Sequence, residues 1–355
     1  MTREFILPTG TLIKNYMEHN CLDEKNFYKR LNKNADEVAG ILHGNKMMTE
    51  EIAIELEKIF NISREYWINY DNKFQIYLQG CESDLSMNLT DLKVISKKFK
   101  FDDVFEGLDW NIFRQAKEML SILQLENFGQ FEERYAELSV DFMEDGGDIE
   151  PMVVWLKLCQ EEIEIQNEDI SDISFSKEEL RNHISMFKDI SLNGNIDESL
   201  DGARQLCNML GINLVILEAI TNSKIRGALL NYEGKPTIFL SYRFRSYDHI
   251  WYALIHELAH LLLHYESREE IMISYEDEFS DKNISRKENE ANEFARDFFI
   301  NPTDYKKFVE NNSFNKIDVE RFAAQQGVLP GLVVGRLQHD KHISYSELSY
   351  LKIRD

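Results

Sequence analysis

The sequence predicts an α+β fold, mostly α, in three parts: a bundle of short helices over residues 1–80, an acidic helical connector over 81–190, and a mixed domain over 191–355. Three observations carry that prediction. Apolar residues recur every three or four positions through the first two parts, and Pro151 is the sole proline between 80 and 190. From about residue 197 the pattern turns mixed, with β-rich runs flanking turn residues. The net charge of −23 is uneven: the three parts carry −2, −15 and −6.

Composition narrows the function classes. A chain of 355 residues with 43% hydrophobic content can build two or three domains with real cores despite its charge. Met1 to Glu4 lead into no apolar segment of the signal-peptide kind, and no apolar stretch is long enough to span a bilayer, so a cytoplasmic protein with no membrane partner is expected. Cys21, Cys81, Cys159 and Cys207 are isolated, which suits free thiols in a reducing compartment rather than metal ligands. An acidic body argues against non-specific binding to nucleic acid or anionic lipid.

Along the first part, Leu12, Ile13, Tyr16 and Met17 form one apolar stripe, Phe27, Tyr28 and Leu31 a second, and Val38, Ile41 and Leu42 a third, closed by Gly44 in a C-cap position. Thr49 caps a fourth helix, with Ile52, Leu56 and Ile59 inward, and Ser63 starts a fifth. Short helices joined by tight turns fit a helix-turn-helix bundle. The run Phe27–Gly44, then Met48–Leu56, then Asn61–Asn69, resembles an Xre-type helix-turn-helix of the HigA antitoxin kind. The resemblance implies that the helix before Gly44 lies in the major groove. Asp36 and Glu37 near its start would meet phosphates, and Ala35, Ala39 and Gly40 offer base edges no donor. Lys29, Arg30, Lys33, Asn34, His43, Asn45 and Lys46 are the useful polar residues, and DNA binding and a docking or dimerising role stand as alternatives.

The middle reads as helices around Leu92–Phe99, Phe113–Leu120 and Val153–Cys159, with loops near Asp145–Asp148 and Asn167–Asp169. In the last part a helix over Leu200–Leu210 ends at Gly211, and Ile212–Leu217 is a β-rich run. Ile225–Leu230 and Thr237–Ser241 flank the turn Tyr232–Pro236 and make a hairpin. An apolar helix from Ile250 to Tyr265 follows, free of Gly and Pro.

That helix contains His256-Glu257-Leu258-Ala259-His260. Histidines at i and i+4 share a helix face and can bind one Zn²⁺, and the glutamate between them can take a proton from a water held there. A small sheet followed by such a helix is a zincin-like arrangement, whose sheet edge can hold an extended peptide. A third protein ligand is needed. His264 lies eight residues beyond His256, about 12 Å along a straight helix, so it is read as an orienting or packing residue. On the acidic helix after it, Glu288, Glu290, Glu293 and Asp297 all border the stripe of Ala291, Phe294, Ala295 and Phe298.

His256–His264, then Glu288–Ala295, then Ile300–Pro302, with Phe322–Gln338 further on, resembles the ImmA/IrrE family of zinc peptidases. The resemblance implies His256, His260 and Glu290 as metal ligands, with Glu288 the alternative to Glu290, and Glu257 as general base. Tyr242, Arg243, Arg245 and Tyr265 are within sequence reach as oxyanion donors, and Asp297 as an orienting group or a surface salt bridge. It also implies a zinc-dependent (or manganese-dependent) regulatory metallo-endopeptidase acting on a partner repressor or antitoxin in a stress, phage or mobile-element response. The competing expectation is a non-enzymatic, antitoxin-like regulator or protein-binding module. Either leaves room for a dimer.

Overall fold

A computed structural model of the chain describes residues 8–20, 22–31, 38, 41–42, 46–85, 87–108, 110–135, 147–166, 170–242, 246–265, 272–275, 286–311 and 314–353. The chain is α+β and mostly α, and it divides into two compact units, Met1–Ala136 and Glu137–Asp355. Among the described residues no helix is long and apolar enough to cross a membrane.

The described residues of the first unit form helices and the turns between them. It runs through α1 (Thr9–His19), α2 (Glu24–Leu31), α3 (Glu50–Phe60), α4 (Arg64–Leu85), α5 (Leu89–Lys98), α6 (Phe101–Val104), α7 (Ile112–Ile122) and α8 (Phe131–Arg134). The expected stripes meet in one core, where Ile13, Phe27, Leu31, Val38, Ile41, Leu42, Ile52, Leu56 and Trp67 are buried. Thr49 caps α3 as its sequence suggests, its side chain accepting from the Ile52 amide. Buried Asp71 on α4 ties separate segments together: it accepts from Thr9 Oγ1 at 2.7 Å and from the Met48 amide at 2.8 Å. Gly10 allows α1 to close on Leu42, whose carbonyl oxygen lies 1.9 Å from where a Cβ would stand. Lys33, Asn34, Ala35, Asp36, Glu37, Ala39, Gly40, His43, Gly44 and Asn45, which bear on groove reading, lie outside the described residues.

The second unit opens with α9 (Ile149–Gln166), α10 (Lys177–Ile190) and α11 (Ile196–Met209). Strands β1 (Asn213–Leu217), β2 (Ile225–Tyr232) and β3 (Lys235–Ser241) follow, then α12 (Tyr247–Leu263), β4 (Met272–Tyr275), α13 (Arg286–Phe299), α14 (Pro302–Glu310), α15 (Lys316–Gln326) and α16 (Pro330–His339). The stretch expected as one connector, 81–190, contributes helices to both units. Leu180 and Phe187 of α10 are buried in the same core as α12.

The sheet has strand order β1-β3-β2-β4, with β1 parallel to β3 and the other pairs antiparallel. The expected hairpin is β2–β3. Glu233 and Gly234 both take positive φ, 50° and 82°, as a tight two-residue turn with the sheet's twist requires. Alternation along β3 sends Phe239 one way, edge-on to Trp155 of α9, and Ile238 and Leu240 the other way, into the core with α12. Strand β4 was not foreseen, and its pairing with β2 is broken by a register shift between Ile225 and Gly227.

Candidate metal centre

Helix α12 is apolar almost all round, so it is buried on every side: β2 and β3 on one, α13 and α16 on others. Its first turn is fixed by Asp248, which pairs with Lys352 at 2.6 Å, both nearly inaccessible to solvent. The Tyr247 amide also bonds the carbonyl of Ile353 at 3.1 Å. Such burial makes His256, Glu257 and His260 the conspicuous polar residues of the helix, at 2%, 0% and 0% exposure.

The two histidines converge with one carboxylate. His256 Nε2 and His260 Nε2 lie 3.0 Å apart, and Glu288 on α13 reaches both, Oε2 at 3.2 Å from His256 and Oε1 at 3.0 Å from His260. Tetrahedral zinc with ligands at 2.0–2.1 Å sets its donor atoms about 3.3 Å apart, so this triangle needs only a few tenths of an ångström of relaxation to close on an ion. Two imidazoles and a carboxylate also form a donor set that catalytic zinc uses, leaving a fourth position for water. The residues fit the metal.

Of the two expected third partners, the structure brings Glu288, the alternative, to the histidine pair. Glu290 does not join the triangle. Its carboxylate lies 3.0 Å from His264 Nε2 and 2.7 Å from Arg286 Nε. The reason is the face that α13 turns toward α12. Ala291, Ala295 and Phe299 are the buried residues of α13, and Glu288 stands one turn before Ala291 on that same face. Phe294 and Phe298, the other two residues of the expected stripe, are only partly buried. Small alanines let two helices close, whereas the bulky phenylalanines flank the contact. Positions 288 and 290 diverge by about 200° around the helix, so only one of the two can reach the histidine pair.

The electrostatics follow from the triangle. Burial opposes ionisation of Glu288, but hydrogen bonds from His256 and His260 outweigh it and hold the carboxyl down to about 2. Burial would likewise lower His260, yet the bond to Glu288 and the charges of Glu257 and Glu288 raise it above the ordinary 6.5. A metal must displace the proton on His260. Affinity is therefore expected to weaken as pH falls, with the loss beginning above 6.5 rather than below it; a zinc-binding titration at a series of pH values would show this.

Glu257 sits beside the triangle, against the backbone of β2. A Cβ on Gly227 would stand 2.6 Å from Glu257 Oε1, so the carboxylate occupies space that only glycine leaves. Sequence reading missed Gly227, although a glycine inside a strand pattern is the usual sign of a close approach. It also missed Tyr252, whose ring lies 6.4 Å from that of His256 and whose hydroxyl donates to Asn292 at 2.9 Å. Among the oxyanion candidates, Tyr265 is buried, accepting from Asn231 at 3.1 Å and meeting Phe175 edge-on. Tyr242 packs against the core, and Arg243 and Arg245 lie outside the described residues. Asp297 contacts Arg296 at 3.3 Å, the surface salt-bridge alternative.

Neither the curated proteins nor the solved structures contain a match to the chain. The stretch that builds the centre, from the end of α11 through the sheet, α12 and α13 to α16, does have one: residues 207–338 match the peptidase M78 family model, described as an IrrE N-terminal-like domain.

Proposed function

We propose that the chain is a zinc-dependent endopeptidase with His256, His260 and Glu288 as metal ligands and Glu257 as general base. The observation that carries this reading is the place of Glu257: a fully buried carboxylate, given room by Gly227, beside a group of three donors. A purely structural zinc site has no use for it. When bound, the metal supplies an acidified water and a Lewis acid for the scissile carbonyl. Glu257 takes a proton from the attacking water as its oxygen bonds the carbonyl carbon, then delivers that proton to the amine as the C–N bond breaks. Strand β4, last in the strand order and paired to the Gly227 segment, is the natural edge for an extended substrate.

The substrate we propose is a partner repressor or antitoxin, on the strength of the ImmA/IrrE resemblance and the match at residues 207–338. The test is a cleavage assay with such partners. Glu257→Gln is expected to keep zinc and lose about 10²–10⁴-fold in turnover, while His260→Ala loses both zinc and cleavage. Unchanged output from Glu257→Gln would leave the binding-module reading in place.

For the N-terminal helices, the Xre resemblance favours DNA or protein docking. A gel shift on the chain's own promoter region separates them: binding that weakens steeply with salt indicates phosphate contacts, and absence of a shift assigns docking.

A further inference from the structure

Strand β2 is irregular where it passes α12. Its pairing with β4 sets Ile225 opposite Tyr275 and Gly227 opposite Ser274, so two steps along β2 match one along β4. Arg226 is the extra residue of this β-bulge. Neighbours in a regular strand point to opposite faces, and Gly227 faces Glu257 of α12. Regular alternation would therefore send the Arg226 side chain to the far face of the sheet. Instead its Cζ stands 6.0 Å from the centre of the Tyr252 ring, on α12. A bulge re-aims a side chain in this way, and here it brings Arg226 and Gly227 to the same side.

That position is close to the metal triangle. Tyr252 lies one turn before His256, with the two ring centres 6.4 Å apart. Together the two spacings place the guanidinium at most about 12 Å from the His256 ring, a span of roughly three to four residues of extended chain at about 3.3 Å each. Arg226 is half-buried. Among the described residues its guanidinium has no hydrogen bond or ion pair, only the face of Tyr252. The other guanidinia within electrostatic reach of Tyr252 each have a carboxylate. Arg296 meets Asp297 at 3.3 Å, and Arg336 meets Asp340 at 2.5 Å.

The geometry points to Arg226 as a specificity-determining residue: its guanidinium binds a side-chain carboxylate of the substrate, so that cleavage falls within about four residues of an Asp or Glu. The inference rests on the endopeptidase reading above and adds a substrate class to it. A guanidinium presents a planar fork of N–H donors that matches the two oxygens of a carboxylate. Salt and water screen a half-buried charge less than a fully exposed one, so an anion set against it gains more than in open solvent. The chain as a whole, at −23, repels acidic segments. Recognition of one therefore has to be local, and Arg226 supplies a local cation beside the site.

The test uses the zinc-loaded full chain and fluorescence-quenched peptides of mixed sequence with both termini blocked. The peptides are matched in pairs that differ only by Glu against Gln at one position near the cleaved bond. Wild type is expected to favour the Glu member by about 10–100-fold in kcat/KM at one such position. In Arg226→Gln that ratio should fall to about one, and in Arg226→Glu a Lys at that position should become the preferred residue. A ratio near one in wild type, or the wild-type ratio kept in both variants, would overturn the inference. Equal losses on Glu and Gln peptides would do the same, marking Arg226 as a support for Glu257 instead. So would a preference confined to peptides with a free C-terminus, which would assign the guanidinium to a terminal carboxylate. If wild type cleaved no peptide, the endopeptidase reading would fail. Fluorescence-anisotropy binding of the Glu and Gln peptides to wild type and Arg226→Gln would then still decide whether Arg226 selects a carboxylate.

Discussion

Glu288→Ala should leave the purified protein without zinc after loading and desalting, while wild type keeps about one ion per chain. The effect is large because each ligand of a three-ligand site is needed to outcompete water. Two histidines one turn apart on α12 remain, and they bind an ion only weakly. The loss should not reflect unfolding. The Glu288 side chain is partly exposed, and Ala291, Ala295 and Phe299 still seal α13 against its neighbours. Mass-spectrometric metal content, with circular dichroism as the control for folding, checks it. The contrast with Glu290→Ala is the informative part, since that variant should retain its ion.

Gly227→Ala is expected to fold, to bind zinc, and to lose on the order of 10²-fold in turnover. The new Cβ would stand 2.6 Å from Glu257 Oε1 and 3.1 Å from its Cδ, so something must move. The strand is held between β3 and β4, whereas the glutamate side chain can rotate, so the carboxylate gives way. His256 and His260 point from another part of the helix surface and are undisturbed. A zinc titration paired with a cleavage assay separates the two effects. Loss of zinc together with activity would mean that the strand itself had shifted.

Much of this was legible in the sequence where chemistry and periodicity coincide in one short stretch. His256, Glu257 and His260 are fixed to each other by one helix, so their relation needs no tertiary information. The β2–β3 hairpin was legible for the same reason, because Glu233 and Gly234 declare a turn between two apolar runs. What was misread depends on how elements meet. The expected stripe of α13 counted Phe294 and Phe298 with Ala291 and Ala295, whereas its buried residues are Ala291, Ala295 and Phe299, the face that carries Glu288. Strand β4 is only four residues long and becomes a strand by pairing with β2, which no local pattern announces. The space at Gly227 is likewise visible only once Glu257 is seen against it. The expected boundary at residue 80 falls inside α4, which runs on to Leu85 through Gly80, where one glycine costs a helix only about 1 kcal/mol.

The most direct measurement is anomalous diffraction at the zinc edge from zinc-soaked crystals of the full chain. The account predicts one peak within bonding distance of His256 Nε2, His260 Nε2 and a Glu288 oxygen. A peak between His264 and Glu290, or no peak on α12, would contradict it.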